Sequence, residues 1–93
     1  MLGTILRSLT DPVLAEAALL ELGNDAVLRR VRADAEAEGI TPGAFAARAV
    51  RHVLNYAGEE VWLDLLGVMA RTPQPATAAL GVILSKALLE PVQ

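Results

Sequence analysis

His52 is the only histidine in this 93-residue chain, and there is no cysteine. A catalytic or metal-binding histidine needs partners in reach. Its neighbours at helical spacing are Arg48, Arg51 and Tyr56. Arginines repel a metal cation and favour neutral imidazole, so His52 is expected as a boundary residue. The carboxylates Glu59, Glu60 and Asp64 gather at one helix start. Paired acids can do acid–base work or hold Mg²⁺. No HExxH, ExxH or Asp-rich loop accompanies them, and the helix dipole alone favours acids there. There is no GxSxG, no Walker loop and no dinucleotide fingerprint. The sequence therefore predicts no enzyme: no catalytic residue, no cofactor, no metal site and no small-molecule substrate.

The basic residues form a second set. Were the helices flanking Gly39–Thr41 to fold back on each other, Arg29, Arg32, Arg48 and Arg51 could share a patch with His52. Such a patch suits an acidic partner or phosphates. In-helix pairing opposes it, with Asp25–Arg29, Arg30–Asp34 and Arg32–Glu36 all at i, i+4. The net charge of −3, a pI near 5.0 and the lack of stacking aromatics nearby disfavour nucleic acid.

Those side chains must be positioned by helices, since no segment alternates as a strand does. Asp11-Pro12 is a cap and first-turn pair, and Gly23 a natural stop. Between them, Leu14, Ala18, Leu19 and Leu22 make one apolar face and Val13, Ala17 and Leu20 another, with Glu16 and Glu21 at the seams. This helix is expected to lie sandwiched. Asn24 caps the next, running to about Glu38 with a stripe of Val27, Leu28, Val31 and Ala35. At Gly39-Ile40-Thr41-Pro42, a left-handed glycine, a capping threonine and a first-turn proline follow in order. Ile40 and Phe45 occupy the positions of a hydrophobic staple. The helix that follows, about 42–56, turns Phe45, Ala46, Ala49, Val50, Val53 and Leu54 inward and ends at Gly58. Two more helices follow, the first from Glu59 and Glu60 to Arg71 and the second over about 76–90, stopping at Pro91. Leu80, Ile83, Leu84 and Ala87 form the inner face of the last. Thr77, Gly81 and Ser85 line up as small residues for close helix packing. Ahead of these five helices, Leu2, Ile5, Leu6 and Leu9 keep helical spacing in a short end expected to fray.

The sequence is thus an all-α, compact bundle of about five short helices, one domain over residues 1–93. Hydrophobic residues make up 54% of it and charged ones 20%, with a mean hydropathy of +0.43. A chain of this size hides only about 60–65% of its unfolded surface on folding. The surplus is sharpest from Glu60 to Arg71. There Glu60, Asp64, Gly67 and Arg71 share a narrow strip, and apolar side chains fill roughly 220° of the circumference. A surface helix needs only about 100°. The rest calls for cover by neighbouring helices or by another chain, either a second copy or a different protein. Trp62, Leu63, Leu66, Val82 and Leu89 are the expected contact residues. The N-terminus lacks a basic leader, and the longest apolar stretch, Ala76 to Leu89, is short for a membrane span and carries Lys86. A cytoplasmic protein without membrane contact is expected.

Residues 28–54, LRRVRADAEAEGITPGAFAARAVRHVL, resemble the helix pair of ribbon–helix–helix regulators. In that family a helix ends at a Gly-apolar-Ser/Thr turn, and the next has an aromatic near its start and arginines further along. The resemblance would place Gly39, Ile40, Thr41, Phe45 and Val50 in a dimer core and implies DNA binding. That family reads DNA with a short alternating strand before the first helix. Here Leu19 to Asn24 reads instead as a helix end and a cap.

Overall fold

Side chains that replace missing helical hydrogen bonds set three of the helix starts. In the computed structural model, which describes the backbone of residues 2–89 and the side chains of residues 3–87, Asp11 accepts from the Val13 N–H at 2.8 Å, Asn24 from Val27 at 3.1 Å and Thr41 from Ala44 at 3.0 Å. These caps open α2 (Pro12–Leu22), α3 (Asp25–Glu38) and α4 (Pro42–Tyr56). Gly23 and Gly39 close α2 and α3 in the left-handed conformation, at φ 69° and 73°. Beyond Gly39 the Ile40 N–H reaches back to Ala35 O at 3.0 Å, which fixes the turn. Gly58 differs from its expected role. It is extended and serves as N-cap of α5 (Glu59–Ala70), while α4 ends at Ala57.

The fold is all-α, with six helices among the described residues rather than five: α1 (Leu2–Ser8) precedes the rest and α6 (Pro75–Leu89) follows them. The N-terminal end, expected to fray, is helical over Leu2–Ser8, and Leu6 and Leu9 are buried. The stop expected at Pro91 lies outside the described residues. The central element is α6, which touches all five other helices and buries Ala79, Leu80, Ile83 and Leu84. Ala87, expected on that inner face, is exposed.

Small residues bring the helices together. Thr77 Oγ1 donates to Glu21 Oε1 at 3.0 Å, and a Cβ placed on Gly81 would stand 3.0 Å from Leu22 Cδ1. That is the close approach expected of the Thr77-Gly81-Ser85 line. α2 also packs on α4 through Gly43, with Ala46, Ala47 and Val50 buried beyond. Val31, Ala35 and Phe45 close the α3–α4 hairpin from within. The radius of gyration is 12.2 Å, the compactness of about 12 Å that a single chain of this length reaches. Among the described residues, no buried side-chain nitrogen or oxygen lacks a partner.

The sandwiched α2 of the sequence reading is not what forms. Ala15, Ala18 and Leu19 are buried, while Val13, Leu14, Ala17 and Leu20 face water. No helix is left over to cover that side, since α4 and α6 pack toward its buried face.

Candidate functional site

The chemistry-bearing residues are dispersed. His52 is exposed, with its ring tilted against Tyr56 at 5.0 Å between centroids. No carboxylate among the described residues comes within ion-pair distance of it. Glu59 and Glu60 stand exposed in the first turn of α5, and Asp64 pairs with Lys86 of α6 at 3.0 Å. Among the described residues no three His, Asp or Glu side chains gather as a metal site would require.

The arginines of the expected patch point in different directions. Arg48 makes a two-pronged contact with Glu38, at 2.6 and 2.8 Å, and lies over the Phe45 ring at 5.2 Å. That hydrogen-bonded pairing holds the Glu38 carboxyl below its ordinary value, and raises that of Arg48. Arg51 turns toward α1 and donates to the Thr10 carbonyl at 3.3 Å. Arg29 reaches the Asp25 backbone carbonyl at 3.4 Å, and Arg30 pairs with Asp34 at 3.4 Å. Arg32 and Glu36 form no ion pair. A groove of about 730 Å³ along α3 and α4 gathers Arg48 and His52 with Arg30, Asp34 and Glu38; Arg29, Arg32 and Arg51 do not line it. Acids accompany the bases there, so the groove has no strong single-sign field.

The apolar candidates divide by sector. Leu65 is fully buried, and Val61, Trp62 and Met69 pack against the core beside it. Leu63 and Leu66 are 60% and 49% exposed. The polar strip of α5 does not face outward alone. Asp64, Gly67 and Arg71 turn toward α6 and, with Leu63, wall a groove of about 640 Å³. Leu22, Asn24 and Val27 close its far side, and its floor is Ala78, Gly81, Val82 and Ser85. Val82 thus sits at the base of the groove rather than on an open face. The Leu89 side chain lies outside the described residues.

No protein family, curated protein or solved structure matches this chain.

Sequence reasoning missed the exposed face of α2. The signal was present in a helix apolar on every side with only two acids at its seams. Two helices pack on α2, and they take one side of it. Position by position, the resemblance at residues 28–54 meets a hairpin here: Gly39 is left-handed, Thr41 caps, and Phe45 and Val50 are buried. Leu19 to Leu22 form the end of α2, and Gly23 and Asn24 its stop and the next cap.

Proposed function

We propose that this protein is non-enzymatic and acts through protein–protein contact, as an accessory subunit whose α5–α6 face receives an apolar helix of another protein. The observation that carries this is a groove walled by exposed Leu63 and floored by Ala78, Gly81, Val82 and Ser85, with exposed Leu66 outside it on the same helix. Ala78 and Ser85 add little bulk to the floor, and Leu63 offers an incoming helix an apolar wall. Asp64 and Lys86 already satisfy each other at the rim, while Arg71 forms no ion pair among the described residues. An acidic residue on the incoming helix would complete that edge. Burial of apolar surface, at about 25 cal/mol per Å² before association costs, supplies the driving force.

Tagged protein purified from its native host should carry a stoichiometric second protein, and the Leu63→Glu, Leu66→Glu variant should lose it. Identical composition and mass for the two preparations would contradict the reading. A DNA-binding regulator of ribbon–helix–helix type is the alternative, favoured by the Gly39–Thr41 hairpin. Steep salt-dependent binding to duplex DNA would support it.

A further inference from the structure

The face described above takes a helix that is apolar and carries an acid toward Arg71, and α5 is itself such a helix. Glu60, Leu63, Gly67 and Arg71 follow at spacings of three and four, so they share one strip of its surface. Leu63, Gly67 and Arg71 stand in the α5 wall of the groove. Glu59 and Glu60 open this helix, and Arg71 ends it. These three charges are exposed and form no ion pair among the described residues, while Asp64 between them is already held by Lys86 at 3.0 Å. Leu63 stands 60% exposed. One turn further on, a Cβ added to Gly67 would meet only the Arg71 side chain, at 3.8 Å, so the strip has a shallow gap there.

We propose that, in the absence of another protein, this face closes on a second copy of the chain, the two α5 helices antiparallel about a two-fold axis near Leu65. The proposal rests on the reading that the α5–α6 face receives a helix, and names the helix that fills it when the chain is alone. Under such an axis Leu63 of one copy seats at Gly67 of the other, and Glu59 and Glu60 of one stand beside Arg71 of the other. Each contact occurs twice, as a two-fold axis requires. With each α5 in the other's groove, the two α5–α6 pairs stack as four helices. Antiparallel pairing also opposes the two helix dipoles. Parallel pairing would set acid against acid at one end and arginine against arginine at the other. α2, whose outer apolar face is also open, carries acids alone and offers a second copy no such match.

Charge reversal reads the pairing directly. Purified wild-type protein should dimerise in sedimentation equilibrium. Glu59→Arg, Glu60→Arg and, separately, Arg71→Glu, each checked for unchanged helical circular dichroism, should weaken dimerisation at least about tenfold, since each sets like charges together at both ends. Mixed in equal amounts, these two variants should pair with each other as tightly as wild type pairs with itself, because every facing pair is again opposite in sign. Leu20→Glu, on the outer face of α2, should leave the dimer unchanged. A mixture no tighter than its components would overturn the proposal. So would a monomeric wild type, which would leave the α5–α6 face to another protein and the native-host preparation to decide that reading. A self-pairing chain that carries no second protein from its host would instead overturn the accessory-subunit reading and keep this one.

Discussion

Gly43 of α4 lies against the Pro12 carbonyl of α2 so closely that no Cβ fits between them, and Glu16 Cβ would stand only 3.0 Å from it. The obstructing atom at Pro12 is backbone, which has nowhere to swing. The spacing of α2 and α4, and with it the outward aim of Val13 and Leu20, rests on this contact.

Gly43→Ala should therefore force the two helices apart and cost about 1–3 kcal/mol, the usual range for overpacking. Urea unfolding followed by circular dichroism measures it. Gly3→Ala is the control, because a Cβ there meets open space. It should be neutral or stabilise by up to about 1 kcal/mol. Equal midpoints for the two variants would show that the α2–α4 contact is looser than described.

The two sides of α5 should separate cleanly. Leu65 is fully buried and Leu63 is 60% exposed. Leu65→Ala should cost about 2–5 kcal/mol, while Leu63→Ala should change stability by less than about 0.5 kcal/mol. Similar losses from the two would place Leu63 in the core of the isolated chain and remove it from the contact surface.

The Glu38–Arg48 pair predicts a pH dependence with a definite sign. Hydrogen bonding to Arg48 lowers the Glu38 carboxyl below its unfolded value. The contribution is thus present above the ordinary carboxylate range and is lost as pH falls through the lower, folded value. Wild type should lose more stability on acidification than Arg48→Gln. Parallel pH profiles would mean that the pair contributes nothing in solution, as many exposed pairs do.

Much of the architecture was legible because local chemistry fixes helix ends. Asp11, Asn24 and Thr41 cap as their types require, and Gly23 and Gly39 stop helices in the conformation that costs other residues most. The inner face of α6 was legible at Leu80, Ile83 and Leu84, because Ser85 and Lys86 mark the other side of that helix. Direction was lost wherever that contrast was missing. α2 is apolar around its whole circumference, so its sequence does not say which side the core takes; Gly43 and Gly81 on other helices decide that. α1 is too short to signal its own stability, and its order comes from the burial of Leu6 and Leu9. The expected arginine patch comes together only at Arg48 and His52, for a related reason. Helical spacing places Arg29 and Arg51 on faces of their own helices, and the rotation of α3 against α4 brings Arg30 and Arg48 to the shared groove instead.

Duplex DNA should not bind, even at low ionic strength where phosphate contacts are strongest. The segment from Leu19 to Leu22 is helical and offers no strand edge to a groove. Fluorescence anisotropy of a labelled mixed-sequence duplex is sufficient to check this, and a steep salt-dependent rise in anisotropy would restore the DNA-binding alternative.

The claim beneath these predictions is that apolar helix faces left open by the fold are closed by another chain. Absolute mass by light scattering on a size-exclusion column, of tagged protein purified from its native host, tests it most directly. A mass above that of the single chain is expected, with a return toward 9.8 kDa plus the tag in the Leu63→Glu, Leu66→Glu variant. The mass of the single chain, 9.8 kDa plus the tag, in both preparations would contradict it.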